Sequence, residues 1–128
     1  MPELPEVQTI VNDLAAHKIE GRKIAGFHVS WRRSVDNQPD AALRKNLVGR
    51  RISRITRRGK FIVFALDDDS RALLHLRMTG RLHYHRQGDE YHKHEHLALR
   101  FDNGYELRLH DTRKFARFYT GPGTEERL

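Results

Sequence analysis

The first regular pattern of apolar residues in this chain has a helical period. Apolar positions recur every three or four residues after Pro5, which predicts an amphipathic helix over roughly the first 18 residues. The apolar face of this helix comprises Val7, Ile10, Val11 and Leu14. Gly21 marks its end. A second, shorter helix is expected from Asp40 to Leu47, because Pro39 immediately precedes this stretch.

From residue 24 onward the pattern changes to short apolar stretches of strand length. Eight strands are predicted, at Ile24–Trp31, Arg51–Thr56, Phe61–Leu66, Ala72–Leu76, Arg81–His85, His96–Phe101, Glu106–His110 and Phe115–Tyr119. Asp67–Ser70 and Asp102–Gly104 have the composition of hairpin loops, and Gly104 suits a positive φ. The predicted fold is therefore mostly β with helices (α+β). We expect a two-layered β-sandwich with the N-terminal helix packed against it.

Length and composition indicate one soluble domain. The chain has 128 residues, of which 38% are hydrophobic, and it has no cysteine, so neither a disulfide nor a thiolate zinc site is possible. No stretch approaches the roughly 18 apolar residues of a membrane span, and the N-terminus does not have the apolar stretch of a signal peptide. A cytoplasmic protein without membrane contact is expected. Periodicity is lost over residues 121–128, which is typical of an interdomain linker or a frayed end.

The charge is concentrated in one segment. Lysine and arginine number 24 against 17 acidic residues, a net charge of +7. Eight of the basic residues and no acidic residue fall between Arg44 and Lys60. Such a segment provides a positive field for a polyanion such as the nucleic-acid backbone. The alternative is an exposed edge strand that its charges protect from pairing with another chain.

The N-terminal sequence Met-Pro-Glu-Leu-Pro-Glu offers a nucleophile. Removal of Met1 leaves Pro2 with a free secondary amine, and an α-amino group with a pKa near 8 is partly unprotonated at neutral pH. Such an amine can attack C1′ of a sugar and form an iminium. Glu3 is adjacent in sequence and can act as a general acid or base. By itself, the same segment also fits a simple helix start.

Two further groups of residues have side chains suited to phosphate. Arg57-Arg58-Gly59-Lys60 lies between two predicted strands, and Lys60 can bind a phosphate as a point charge or assist proton transfer. Seven of the nine histidines fall between His75 and His110. If residues 92–96 form a strand, the alternate histidines there share one face, which is a geometry able to bind a metal. Phosphate contact or hydrogen bonding within the fold is favoured, because no carboxylate or thiolate completes an obvious metal site.

Two turn sequences combine basic and apolar side chains. In His-Leu-Arg-Met-Thr-Gly, Met78 precedes a glycine turn, where a methionine is either a flexible apolar wedge or core filling. In Asp-Thr-Arg-Lys-Phe, Arg113 and Phe115 lie between two predicted strands. Basic and aromatic side chains can insert into a duplex and stack on its bases, although such a pair can also cap a sandwich edge.

Together these motifs resemble those of the formamidopyrimidine-DNA glycosylases, bifunctional enzymes that excise oxidised purines and nick the strand. The resemblance extends over nearly the whole chain, with the motifs in the family's order. The matching segments are residues 2–7, 57–61, 75–80, 94–96 and 111–115. Leucine at position 4 resembles the purine-directed branch of the family, since the related endonuclease VIII branch usually has glycine at this position.

The resemblance implies a role for each candidate residue. Pro2 is the nucleophile that displaces the damaged base and forms the Schiff base, and Glu3 acts in proton transfer to the sugar. Lys60 and His75 hold phosphates at the lesion, and His94 belongs to the DNA-contacting set. The eversion residues are Met78, which fills the gap left by the everted nucleotide, Arg113, which pairs with the widowed base, and Phe115, which wedges into the opposite strand.

The chain also departs from the family pattern. Ala116 stands where glycine usually closes the turn, and Gln8 replaces a frequent glutamate, so small shifts of that loop and of the first helix are expected. The family has a second domain, with a helix–two-turns–helix element and a four-cysteine zinc finger. We therefore interpret residues 1–120 as the N-terminal catalytic domain and 121–128 as the start of the linker. Zinc is expected in the absent domain, and no cofactor in this chain.

The expected partner is double-stranded DNA with an oxidised base, bound by a monomer in the bacterial cytoplasm at the nucleoid. Taken alone, the domain is expected to bind DNA weakly and to excise little. Two alternatives are a glycosylase for oxidised pyrimidines, like endonuclease VIII, and a non-catalytic DNA-binding module of the same fold. The presence of Pro2, Glu3 and Lys60 argues against the non-catalytic module.

Overall fold

Two antiparallel sheets of four strands each form the body of the computed structural model, which describes residues 4–16 and 19–128. The helices are α1, Leu4–Ala16, and α2, Asp40–Leu47. The strands are β1 Ile24–Val29, β2 Ile52–Arg58, β3 Phe61–Leu66, β4 Arg71–His75, β5 Arg81–Arg86, β6 Glu95–Phe101, β7 Tyr105–His110 and β8 Arg117–Tyr119. Short 3-10 helices occupy Arg32–Val35 and Thr124–Arg127.

The strand order explains how the two sheets are connected. The first sheet has the order β1-β6-β7-β5, and the second has the order β2-β3-β4-β8. The β4–β5 connection therefore leads from the second sheet to the first, and the β7–β8 connection leads back. His75 of β4 pairs with Arg117 of β8, and Arg81 of β5 pairs with His110 of β7. The two connections consequently run side by side at one end of the sandwich.

The core lies between the sheets, and both helices contribute to it. Helix α1 buries the predicted face through Val7, Val11 and Leu14 and packs on β2 and β3. Helix α2 buries Leu43 and Leu47. Burial of apolar side chains on one face of each helix is what fixes the helices against the sandwich. The predicted α+β sandwich with a packed N-terminal helix is confirmed.

Several predicted element boundaries were wrong. Strand β8 begins at Arg117 rather than Phe115, because residues 111–116 form the connection between β7 and β8. Strand β1 ends at Val29, and residues predicted to continue toward Trp31 lead instead into a 3-10 helix. The assignment of residues 121–128 to the start of a linker stays a prediction; Thr124–Arg127 form a 3-10 helix in which Thr124 is buried, and Leu128 packs on a small apolar cluster on the second sheet.

The positive φ predicted for Gly104 is confirmed, and the glycine of a second hairpin, Gly59, has a positive φ as well. Gly104, between β6 and β7, has φ 83°, and Gly59, between β2 and β3, has φ 59°. Both values lie in the left-handed region that glycine adopts without steric cost. In the described part of the chain, neither helix is long and apolar enough to cross a membrane.

Candidate functional site

A cleft of about 740 Å³ lies between helix α1 and the two connections that join the sheets. Helix α1 lines it with Glu6 and Ile10. The β4–β5 connection, residues 76–80, is called the Met78 loop, and the β7–β8 connection, residues 111–116, is called the Phe115 loop. Met78, Thr79, Gly80, Arg81, His110 and Thr112 form the rest of the lining. Pro2 and Glu3, the predicted nucleophile and its neighbour, lie outside the described residues, directly before α1 in sequence.

The predicted eversion residues come together beside this cleft. Among the described residues, the exposed large hydrophobic side chains are Met78 and Phe115, with 51% and 41% of their surface accessible. Arg113 lies in contact with both: its guanidinium nitrogen is 3.8 Å from the Met78 sulfur, and its guanidinium carbon is 4.9 Å from the centre of the Phe115 ring. The structure thus groups one cation with two exposed apolar side chains from two loops distant in sequence.

Both loops contain an unusual backbone conformation next to these side chains. Arg77 has φ 58° and Lys114 has φ 60°, values that residues other than glycine seldom adopt. Such conformations are retained where the surrounding contacts enforce them, and they cluster at functional sites. Here they turn the chain sharply immediately before Met78 and immediately before Phe115.

Glycine is required where the two loops approach each other. A Cβ atom at Gly80 would lie 2.5 Å from the backbone oxygen of Leu76 and 3.0 Å from the Cβ atom of Ala116. Ala116 is itself buried. The alanine that departs from the family pattern is therefore accommodated against a neighbour that has no side chain.

His75 and Lys60 lie on the same side as Met78. His75, Arg77, Met78, Phe115 and Arg117 line a second cavity, of about 410 Å³. The backbone N–H of Arg77 donates to Nδ1 of His75 at 3.0 Å, which places the proton of the neutral ring on Nε2. Burial, followed by the charges of Arg77 and Lys60, lowers the pKa of His75. A neutral imidazole with a proton on Nε2 is suited to donate a hydrogen bond to a phosphate oxygen.

The three alternate histidines do not share a strand face. Strand β6 begins only at Glu95, so His92 and His94 belong to the preceding turn, while His96 is buried. His94 is half-buried, and its ring lies 5.7 Å from that of His110, which lines the cleft. Among the described residues no group of three metal-binding side chains is suitably placed for a metal ion.

The basic segment is only partly available for a polyanion. Arg50 forms an ion pair with Asp68, and Arg51 donates to the carbonyl of Gly21. Arg57 donates to Gln8 and to the carbonyl of Gly59. Strand β2, which carries three arginines of the segment, is an edge strand, as the charge-protection alternative expected.

Some residues of the site were not expected from sequence. Glu6, Ile10 and His110 line the cleft although no part in a functional site was predicted for them. The helical period of α1 provided the signal for Ile10, since this residue borders the buried face. No local signal distinguishes His110, because its position depends on the pairing of β7 with β5.

A buried ion cluster supports the turn that contains His94. Arg108 is 1% exposed and forms ion pairs with Glu95 and Glu106 at 3.1 and 2.7 Å. Its guanidinium also donates to the backbone carbonyls of Asp89 and Glu90. Buried charges are tolerated when they are paired and hydrogen-bonded in this way. The sequence alone gave no indication that these charges are buried, because Glu106 and Arg108 alternate with the core residues Leu107 and Leu109 and so lie on the face of the sheet opposite the core.

Fold and cleft together define a two-sheet α+β domain that presents a pair of apolar and cationic loops beside its N-terminal helix. The sequence model described as the formamidopyrimidine-DNA glycosylase N-terminal domain matches residues 1–118. The chain belongs to this family.

Individual relatives agree with this assignment. The formamidopyrimidine-DNA glycosylase of Desulfitobacterium hafniense (strain DSM 10664 / DCB-2) is 40% identical over 128 residues, covering 100% of this chain and 46% of that protein. Lactococcus lactis FPG in complex with a FAPY-dG-containing DNA has a TM-score of 0.83 and 36% identity, covering 92% of this chain and 43% of that chain. The same protein with an oxidized-pyrimidine-containing DNA has a TM-score of 0.86 and 35% identity, covering 99% and 46%. The chain spans about half the length of the curated relatives it matches.

Proposed function

We propose that this chain carries the catalytic part of a base excision repair enzyme, a DNA glycosylase and abasic-site lyase that removes oxidised purines such as 8-oxoguanine and formamidopyrimidines from double-stranded DNA. The observation that carries the proposal is the exposed cluster of Met78, Arg113 and Phe115 beside the cleft of helix α1. Exposed apolar side chains grouped in this way are typical of a binding surface. An everted nucleotide leaves a gap in the duplex that such side chains can fill.

The proposed nucleophile is the secondary amine of Pro2 after removal of Met1. Its nitrogen attacks C1′ of the damaged nucleotide, the bond from C1′ to the base breaks, and the departing base takes up a proton. Opening of the sugar ring then gives an iminium, the Schiff base from which the strand is cleaved by elimination. Glu3 is proposed to act as the acid that transfers a proton to the sugar as its ring opens.

Lys60, His75 and His94 are proposed to hold the DNA backbone. Lys60 and His75 are neighbours at the end of the second sheet, and the Nε2 proton of neutral His75 provides a directed donor. His94 lies beside His110 at the cleft, which supports a contact with the same DNA segment. Phosphate contacts of this kind position the duplex without reading its sequence.

The eversion roles divide among three side chains on two loops. Met78 is proposed to occupy the space of the everted nucleotide, since a flexible apolar side chain adapts to an irregular gap. Phe115 is proposed to wedge between bases of the opposite strand, and Arg113 to pair with the widowed base. The contact of Arg113 with both partners supports the concerted insertion of all three.

A second domain is part of the proposal. We propose that residues 1–120 are the N-terminal catalytic domain and that residues 121–128 begin the connection to a domain that forms the other wall of the DNA cleft. The zinc finger implied by the resemblance needs four cysteines, and this chain has none, so its zinc is assigned to that other domain.

One alternative substrate class has a specific observation in its favour. The Lactococcus lactis relative that matches this chain was also solved with an oxidized-pyrimidine-containing DNA. An oxidised pyrimidine is therefore the second candidate lesion for this chain.

Borohydride trapping tests the proposal. The protein at its natural length, with Met1 removed, is incubated with duplexes that contain 8-oxoguanine, 5-hydroxycytosine or no lesion, and the adduct is mapped by mass spectrometry. We expect an adduct on the N-terminal peptide, formed preferentially with 8-oxoguanine. Preference for 5-hydroxycytosine would favour the alternative substrate. Lesion binding with no adduct on either duplex would identify a non-catalytic module.

A further inference from the structure

Three of the sequence motifs converge on one buried residue, Asp111. We infer that Asp111 is a positioning residue that joins the Met78 loop and the Phe115 loop into a single base-everting unit, an inference that rests on the function proposed above. Asp111 lies at the start of the Phe115 loop and is fully buried. It touches none of the reacting atoms that the mechanism requires. Its contribution is to hold the side chains that do contact DNA.

The Asp111 carboxylate is surrounded by hydrogen-bond donors from both loops. Its Oδ1 atom accepts from the hydroxyl of Thr79, in the Met78 loop, and from the backbone N–H of Arg113 at 3.1 Å. Its Oδ2 atom accepts from the backbone N–H groups of Phe115 and Ala116, each at 2.8 Å. Three of the four donors thus fix the backbone around the wedge residues. The fourth fixes the residue that follows Met78.

The backbone of Asp111 is held equally firmly. Its N–H donates to the carbonyl of His94 at 2.9 Å, and its own carbonyl lies 2.7 Å from Nε2 of buried His96. The His94-Glu95-His96 motif therefore positions Asp111, which in turn positions the loops. Of the three residues in this motif only His94 lies near the cleft, and the hydrogen bond from His96 to Asp111 gives the motif a structural role as well.

An ionised carboxylate suits this position better than an amide. Two oxygens can accept all four hydrogen bonds, whereas an asparagine would present an NH₂ group to two of the donors. Burial on its own would raise the pKa of Asp111, but the hydrogen bonds from Thr79 and from the three backbone N–H groups lower it overall. The group is consequently charged at neutral pH.

Variants of Thr79 can show whether Asp111 links the two loops or only stabilises the Phe115 loop to which it belongs. Its hydroxyl is the only one of the four carboxylate donors described above that comes from the Met78 loop. Thr79→Val removes this donor with little change in size and leaves the three N–H contacts in place. Thr79→Ser keeps the donor. If the loops form one unit, Thr79→Val must also disturb the Phe115 loop, although residue 79 is distant from it in sequence.

Hydrogen exchange and single-turnover kinetics test the inference on the protein at its natural length, with Met1 removed. In Thr79→Val we expect the amides of Phe115 and Ala116 to exchange about tenfold faster, while the amide of Leu99, in the centre of the first sheet, is unchanged. Excision of a damaged base should fall about tenfold, with less than about a twofold change at a preformed abasic site. Thr79→Ser should restore both measurements. Ser53→Ala, which removes an exposed hydroxyl contact on β2, serves as the control.

The possible outcomes are distinct. Unchanged exchange at Phe115 and Ala116 in Thr79→Val would show that the loops are independent, and would overturn the inference whether or not the protein is active. Equal losses on the damaged and the abasic substrate would also overturn it. Wild-type protein that excises no base, with faster exchange still present in Thr79→Val, would refute the proposed function and leave the coupling of the loops established.

Discussion

Alanine replacement of Met78, Arg113 and Phe115 separates base eversion from bond cleavage. On the surface, Arg113 contacts both Met78 and Phe115, and the three side chains are proposed to enter the duplex together. A damaged base must leave the stack before its glycosidic bond can be attacked. A preformed abasic site has no base to evert. Loss of the three side chains should therefore affect the first substrate much more than the second.

The size of the expected loss in the triple variant follows from the exposure of the side chains and from the stacking energy they provide in DNA. Full burial of a phenylalanine or methionine stabilises a fold by about 1.5–3 kcal/mol, and Met78 and Phe115 are 51% and 41% exposed, so each truncation should cost about 1 kcal/mol of stability. In the DNA complex, one lost aromatic–base stack costs about 1–3 kcal/mol, and an unfilled gap adds to this. A combined loss of about 3 kcal/mol corresponds to about a 100-fold slower excision.

Single-turnover rates measure this difference. The triple variant and the wild type are compared on a duplex with 8-oxoguanine and on the same duplex with an abasic site, and thermal denaturation reports stability. Tyr105→Ala is the matched control, because it removes a partly buried aromatic side chain at the opposite end of β7. Equal losses on the two substrates, or a loss in the control as large as in the triple variant, would refute the assignment of these residues to eversion.

Three further predictions follow from single positions. Blocking the amine of Pro2 with an added N-terminal residue should abolish borohydride trapping, whereas Pro2→Gly should retain part of it; undiminished trapping with a blocked terminus would exclude this amine. Gly80→Ala should lower stability by about 1–3 kcal/mol in chemical denaturation because the new Cβ would clash with a backbone oxygen, while Gly26→Ala, whose Cβ would have ordinary contacts, should lower it less. The lowered pKa of Asp111 stabilises the fold above the ordinary aspartate value, so this stabilisation should be lost as pH falls below about 4, and Asp111→Asn should flatten that part of the stability–pH profile.

Elements whose pattern is purely local could be predicted closely. Helix α2 and strand β3 have the predicted bounds, Asp40–Leu47 and Phe61–Leu66. Pro39 precedes the first turn of α2, and the apolar run of β3 is central to a buried sheet. In both cases the residues that define the element lie within it or next to it, so the sequence contains the whole signal.

Elements that depend on distant contacts could not be predicted in the same way. Phe115 has strand-forming character, but the Asp111 carboxylate accepts the backbone N–H groups of Phe115 and Ala116 and holds both residues in the loop before β8. Residues 92–94 likewise do not extend β6, because the Glu95 carboxylate accepts the backbone N–H of His92 and is itself paired with Arg108, which holds residues 92–95 in a turn. The hydrogen bonds that decide these cases come from side chains whose positions become known only with the fold.

The grouping of the candidate site follows from the sheet topology rather than from any single motif. Met78 and Arg113 are 35 residues apart, and nothing in their local sequences relates them. Their connections become neighbours because β4 pairs with β8 while β5 pairs with β7, with His75 opposite Arg117 and Arg81 opposite His110. A shift of one residue in either pairing would turn the side chains of that strand to the opposite face of its sheet and displace the attached loop. Strand register therefore sets the spacing between the two loops, and Asp111 then fixes their contact.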